Sequence, residues 1–300
     1  MDTRRLPRWA GILFSTDPVS ARATEIAVGC LRIVAGLIWL YNVVWKVPPD
    51  FGRNGNTALY HFTRQAVEHP VLPPFSWLVE HVVLRWFTAF GWLTLMVETA
   101  LAVLLLTGTA VRFAAVLGIG QSLAIALSVA EAPGEWPWSY IMLIAIHTVL
   151  LFTPAGRFAA VDAVRADRGA ARLLRRLGVA LVVVAVVALL GGLHNPVRAP
   201  LGAFVGYEPL QFSLGNYNLI GALALLVTGA AMLVAALSGG RPPALVALVL
   251  AAAAAATLYV QSGRTASWLG GTNTSAAVFV CAVVVVAATW RRPAGPKKGS

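Results

Sequence analysis

The sequence predicts an all-α polytopic transmembrane helix bundle of about eight spans, on three grounds. Hydrophobic residues make up 58% of the 300-residue chain and charged residues only 12%, too little polar surface to coat a water-soluble globule. Eight apolar runs approach or reach the roughly 20 residues that cross a hydrocarbon core about 30 Å thick. The basic residues alternate in one register: 16 of the 23 Lys and Arg fall in residues 1–24, at Arg112, in 157–176, at Arg241 and in 291–298. That is the positive-inside distribution, so the net charge of +11 reads as an orientation signal and not as affinity for nucleic acid. It predicts a multi-pass protein of a plasma membrane with both termini cytoplasmic.

Residues 1–24 form a cytoplasmic N-terminus carrying Arg4, Arg5 and Arg8, with no small-residue cleavage site behind a short apolar run and hence no removable signal peptide. The spans follow at 26–46, 85–107, 112–130, 138–153, 177–193, 217–237, 244–260 and 275–290. The runs 138–153 and 177–193 are short and borrow a turn from their flanks or meet a thin bilayer. Residues 25–165 make one four-helix membrane domain, and 166–300 a four-helix extension ending in the basic tail RRPAGPKK. The outer loop 47–84 opens with the helix-stopping VPPDFG. Its NTALYHFTRQAVEH run repeats Leu59, Phe62, Ala66 and Val67 at helical spacing, which predicts a short helix on the outer surface. Segment 194–216, with HNPVRAP, and the polar segment 261–274 are further outer loops. In the cytoplasmic segment 154–176, Arg157, Arg165, Arg168, Arg172, Arg175 and Arg176 suit anionic membrane lipid headgroups; docking of a soluble redox partner is the alternative.

Ionisable groups are costly in hydrocarbon and mark candidate sites. The first span holds Arg32 and ends at Lys46, the second holds Glu98, the third offers the amide of Gln121, and the fourth holds His147. At the helical rise, Arg32 and His147 lie about 9 Å and Glu98 and Gln121 about 14 Å from the cytoplasmic ends of their spans. All four then share one layer, with Arg32 and Glu98 as natural partners. Lys46 is expected to snorkel to the outer interface. One reading makes this layer a clasp, an Arg32–Glu98 pair pinning two helices with Gln121 and His147 as hydrogen-bonding glue. The other makes it a pocket for a lipid-soluble quinone, in which His147 or Gln121 donates to a carbonyl and Glu98 passes protons.

Other chemistries find little support. Cys30 and Cys281 sit in spans near opposite ends of the chain, without disulfide or zinc spacing. His61, His69 and His81 lack the intervals of a compact metal motif, so no metal site is expected. The tryptophans Trp77, Trp86, Trp92, Trp136 and Trp138 suit an interfacial belt. No haem ligand pair, iron–sulfur cysteine set, nucleotide loop or nucleophile elbow is present.

CLRIVAGLIWLYNVVWK, with Arg32, Gly36 and Lys46, is similar to the opening helix of the DoxX superfamily; ETALAVLLLTGTAVRFAA, with Glu98, Gly108, Thr109 and Arg112, resembles that family's second-helix Glu and its Gly-Thr-x-x-Arg turn. TPAGRFAAVD resembles the Gly-Arg turn that closes on an Asp, with Gly156, Arg157 and Asp162. The WKVPPDFG loop leans toward the DoxD branch, the small subunit of thiosulfate:quinone oxidoreductase. The resemblance spans roughly residues 25–165; Val43 stands where the family's usual residue is glycine, and Ala160 where glycine is common. It implies a membrane subunit of a redox complex that works with soluble partners.

The function expected from residues and resemblance together is a subunit of a quinone-linked oxidoreductase. It would pass electrons from a small donor, a sulfur compound among the candidates, or from a soluble partner to membrane quinone. Glu98 and His147 are its candidate catalytic residues, and Arg32, Gln121 and Lys46 its ligand-binding or polar-core residues. The alternatives are a non-catalytic anchor for soluble redox enzymes and a group transferase using Asp50 of the first outer loop.

Overall fold

The structure, a computed structural model, describes residues 19–166, 169–192, 202–207, 210–263 and 267–290. The N-terminal arginines, Asp167 and Arg168, the HNPVRAP run and the RRPAGPKK tail lie outside the described residues. Helix α1 (Ala21–Val44) starts where the Ser20 hydroxyl accepts from Ala23 N and stops two residues before the Val47-Pro48-Pro49 run, where proline withdraws a backbone donor. Helix α2 (Ala58–Glu68) is the short helix expected in that segment, with Leu59, Thr63, Gln65 and Ala66 buried. Helix α3 (Pro73–Leu78) runs on into a π-turn, Val79–Val83. Then come α4 (Phe87–Thr107), α5 (Val111–Val129), α6 (Trp138–Phe152), the single turn α7 (Val161–Arg165) and α8 (Ala170–Gly192). The chain finishes with strands β1 (Gly202–Tyr207) and β2 (Leu210–Asn216) and helices α9 (Leu219–Ser238), α10 (Arg241–Val260) and α11 (Asn273–Trp290).

Among the described residues seven helices are long and apolar enough to cross a membrane: α1, α4, α5, α8, α9, α10 and α11. The chain is therefore an all-α multi-pass membrane bundle. The expected fourth span, α6, has 15 residues and reaches about 22 Å at 1.5 Å per residue. Helix α8 begins at Ala170, which draws Arg172, Arg175 and Arg176 into its first turns. The segment 194–216 differs from expectation as well: its described part is an antiparallel hairpin, Tyr207 opposite Leu210 and Phe204 opposite Ser213, instead of a loop.

The helices run up and down. One end of the bundle, here the hairpin end, gathers α2, α3, the π-turn, the β-hairpin and the α10–α11 loop. The other, the arginine end, carries Arg112, Arg157, Arg172 and Arg241. Consecutive helices pair as α1 with α4, α5 with α6, α8 with α9 and α10 with α11. Helix α11 is the hub, touching α1, α4, α8 and β2, and 61% of its apolar window is buried against 28% for α5. Its Ala276, Ala277, Cys281 and Ala282 permit that central position, because small side chains let helix backbones approach in lipid. The same device joins α8 to α9, where a Cβ on Gly178 would stand 3.0 Å from the Gly229 carbonyl.

Candidate functional site

The best-formed candidate is a cavity of about 670 Å³ in the hairpin half of the first four spans. It lies between α1, α4, α5 and α6 and is roofed by α2 and the α3 π-turn. Its walls are apolar and aromatic, Phe62, Phe75 and Phe90 among them, and its polar floor is Lys46, Glu98 and Gln121. Trp136 and Met142 belong both to the lining and to the exposed surface, so the cavity opens at the start of α6.

The floor follows from how α1 ends. The last four carbonyls of a helix lack intrahelical donors and attract cations. Lys46, just past the end of α1, folds back so that its Nζ donates to Asn42 O at 2.8 Å. The same nitrogen lies 2.7 Å from Glu98 Oε2 and 3.3 Å from the centre of the Trp45 ring. Both charged side chains are 1% exposed. Gln121 Nε2 donates to the other carboxylate oxygen, Oε1, at 3.2 Å. Burying two charges is costly, and this set of additional partners offsets the cost.

The backbone beneath Lys46 is held by the C-terminal half. Asn273, the first residue of α11, donates from Nδ2 to Lys46 O at 2.9 Å, and the Ser262 hydroxyl donates to Asn273 Oδ1 at 2.5 Å. The WKVPPDFG segment then turns down onto α4. Phe51 is fully buried there, in a place where a Cβ on Gly91 would come within 2.3 Å of its ring. The carboxylate of Asp50 accepts from Gly52 N and Asn54 N and so ties its own turn, outside the cavity lining.

The expected pairing of Arg32 with Glu98 does not form, and Lys46 does not snorkel outward. Arg32 lies at the arginine end, fully buried, its Nη2 donating to the carbonyls of Phe158 and Ala159 at 3.2 and 3.0 Å. Gly108 makes room for it: its φ is +66°, and a Cβ there would lie 1.5 Å from Arg32 Nη1. Asp162 completes this clasp. Its two oxygens accept from Ala110 N and Val111 N at 2.9 and 3.0 Å, capping α5, while its own N–H donates to Gly108 O. Gly156 leaves space for Asp162, a Cβ there meeting the carboxylate at 3.1 Å, and Gly36 lets α1 approach Leu106 of α4. Arg157 pairs with Glu25 at 3.2 Å, Arg176 lies over the Phe158 ring, and Arg112 borders a separate hollow of about 440 Å³.

His147 belongs to neither cluster. Its Nε2 accepts from Trp39 Nε1 at 3.0 Å. Its Nδ1 must then carry the proton and donates to Leu143 O at 2.7 Å. The ring is fully buried and packs on Gly118, where a Cβ would intrude to 2.1 Å. Both nitrogens are engaged inside the bundle, and His147 is not part of the cavity lining. Of the candidate residues, then, Lys46, Glu98 and Gln121 meet at one site; Arg32, Gly108, Arg112, Gly156, Arg157 and Asp162 gather at the opposite end.

Sequence reasoning missed Trp39, Asn42, Trp45 and Asn273. Asn42 was within reach, since it stands one helical turn before Lys46 on the same face; nothing in the sequence marks Asn273. Among the described residues no group of three or more His, Cys, Asp or Glu is placed to hold a metal ion. Comparison of the chain with protein-family models, with curated proteins and with solved structures returned no match.

Proposed function

We propose that this chain is a membrane subunit of a quinone-linked oxidoreductase, seated in a plasma membrane with its arginine end toward the cytoplasm. In this reading the cavity above Lys46, Glu98 and Gln121 receives the quinone head. The observation that carries the reading is the lining itself: an apolar, aromatic chamber within the spans whose floor is a buried ammonium–carboxylate pair and a half-buried amide. Its volume of about 670 Å³ lies within the usual range of small-molecule sites, about 300–1,000 Å³. The resemblance of residues 25–165 to the DoxX superfamily supports the same assignment.

A bound quinone supplies two-electron acceptor chemistry, taking up two protons as it is reduced by a small donor or a soluble partner. The residues of the chain have distinct parts in this. Lys46 and Gln121 are the donors placed to hold a carbonyl oxygen at the floor. Glu98 lies against the Lys46 ammonium, so a proton given up by Lys46 is replaced through that carboxylate. The aromatic walls exclude water from the ring and hold its plane. His147 and Trp39 brace the helices below.

The test is a titration of the detergent-purified protein with decylubiquinone, read as quenching of the tryptophans, since Trp45 and Trp136 border the cavity. Saturable quenching that weakens about tenfold, ~1.4 kcal/mol, in Gln121→Ala supports the site. Quenching that never saturates, or that Gln121→Ala leaves unchanged, removes it.

A further inference from the structure

We propose that water, protons and small polar solutes reach the cavity from the hairpin face alone, along a path that passes Glu135. The inference deepens the reading of the cavity as the site, and it rests on an asymmetry in polar groups above and below the Lys46–Glu98 floor.

Toward the arginine end the floor is sealed. Trp39, Leu101, Leu105, Ala114, Ala115 and Leu150 fill the next layer and are essentially inaccessible. Among the described residues the titratable group in that layer is His147, and it offers no onward path. Its Nε2 is closed by the Trp39 indole N–H and its Nδ1 by the Leu143 carbonyl. An indole N–H is a donor only, so the hydrogen-bonded chain ends there. The Arg32 clasp lies beyond, tied to backbone carbonyls and bordering no part of the cavity.

Toward the hairpin end the polar lining continues. Thr94 of α4 lies one turn from Glu98, and Ser128 of α5 two turns from Gln121 on the same face. Ser139 and Tyr140 follow at the start of α6, and the Tyr140 hydroxyl donates to Glu135 Oε2 at 2.7 Å. Glu135 is half-buried in the α5–α6 loop, beside the exposed Trp136. Among the described residues the titratable groups bordering the cavity are therefore Lys46 and Glu98 at the floor and Tyr140 and Glu135 at the mouth. A carboxylate held at the rim by a phenol draws cations toward the opening. Reduction of any ligand on the floor then takes its protons from the hairpin face, the side opposite the arginines.

The experiment uses single cysteines in a chain carrying Cys30→Ser and Cys281→Ser, reconstituted into vesicles. An Asn54→Cys variant in the exposed hairpin-end loop identifies which face a reagent meets. Ser128→Cys and Gln121→Cys are labelled with membrane-impermeant methanethiosulfonates, one cationic and one anionic, from each face in turn. Both positions should react at least tenfold faster from the hairpin face, at a rate that follows the pH on that face and not the pH across the membrane. Adding Glu135→Arg should lower the cationic-to-anionic rate ratio several-fold at both positions. Equal labelling from the two faces, labelling from neither, or a ratio indifferent to Glu135→Arg overturns the proposal. Ser128→Cys is conservative and serves if Gln121→Cys loosens the floor. Because labelling needs no quinone, failure here is distinct from failure of decylubiquinone to bind.

Discussion

Lys46 Nζ and Glu98 Oε2 meet 2.7 Å apart with both side chains 1% exposed, one from the end of the first helix and one from the middle of the next span. Breaking a buried pair leaves an uncompensated charge and costs about 3–5 kcal/mol, whereas replacing both partners by apolar groups is often close to neutral. Lys46→Met and Glu98→Leu should each lower the thermal midpoint in detergent strongly. The double variant should recover most of the loss yet fail to bind decylubiquinone. Additive losses in the double variant would mean that the two charges are stabilised independently.

Gly108 and Arg32 form a second dependence, at the arginine end. The left-handed φ of +66° disfavours any side chain, and a Cβ would also strike Arg32 Nη1. Gly108→Ala should destabilise the protein by several kcal/mol, on the order of other strained or overpacked substitutions. Arg32→Ala in the same chain should recover only the part of that loss due to the guanidinium, because a Cβ would still lie 2.4 Å from the Ala160 Cβ and the backbone part remains. A thermal-midpoint cycle measures the coupling, and strict additivity would show that the two residues do not compete for space.

The Asp162 carboxylate satisfies two N–H groups at the start of α5 from a separate turn, an arrangement equivalent to a helix cap. Asp162→Ala should cost about 1–2 kcal/mol while leaving decylubiquinone binding within about twofold of its original strength, since this end is remote from the cavity. A large loss of binding with little loss of stability would instead connect the clasp to the site.

The spans were legible because apolar runs and alternating arginines report directly on lipid and its interface. The partners of Glu98 were not. Counting depth from the cytoplasmic ends assumes that each helix leaves the bilayer where its apolar run stops. Here α2, the π-turn and the Pro48–Phe51 turn fold over the end of α1, so Lys46 lies beneath protein and its ammonium turns inward. Arg32 is displaced in the opposite sense, because the turn at 153–160 folds back over the start of α1 and presents the carbonyls of Phe158 and Ala159. The hairpin 202–216 was hidden by its three glycines and Pro209, which read as loop although Phe204, Val205 and Phe212 favour a strand. Asn273, an uncharged residue at a helix start, carries no signal in isolation; its partner is the Lys46 carbonyl more than two hundred residues away.

That long-range bond makes the C-terminal half a support for the site. Asn273→Ala removes the donor to Lys46 O and leaves a buried carbonyl unpaired, at a cost of about 1–3 kcal/mol. It should also weaken decylubiquinone binding several-fold by loosening the Lys46 backbone, although Asn273 is not part of the cavity lining. Asn273→Asp, which retains an acceptor for Ser262 but loses the donor, should behave like Ala. Restored binding in Asn273→Gln would show that a donor at this place suffices.

His147 separates a supporting role from a chemical one. Its imidazole joins Trp39 of α1 to the Leu143 carbonyl of α6 and fills the space beside Gly118. His147→Ala therefore opens a cavity and strands the Trp39 N–H, a combined loss of about 3–5 kcal/mol. His147→Gln retains an acceptor for the indole and should lose less. If the histidine only braces the helices, decylubiquinone binding at a temperature where each variant is folded stays within about twofold, in contrast to the tenfold loss expected for Gln121→Ala. Should His147→Gln keep its stability yet lose binding, the imidazole itself reaches the ligand, and the Trp39 bond would have to open for it to do so.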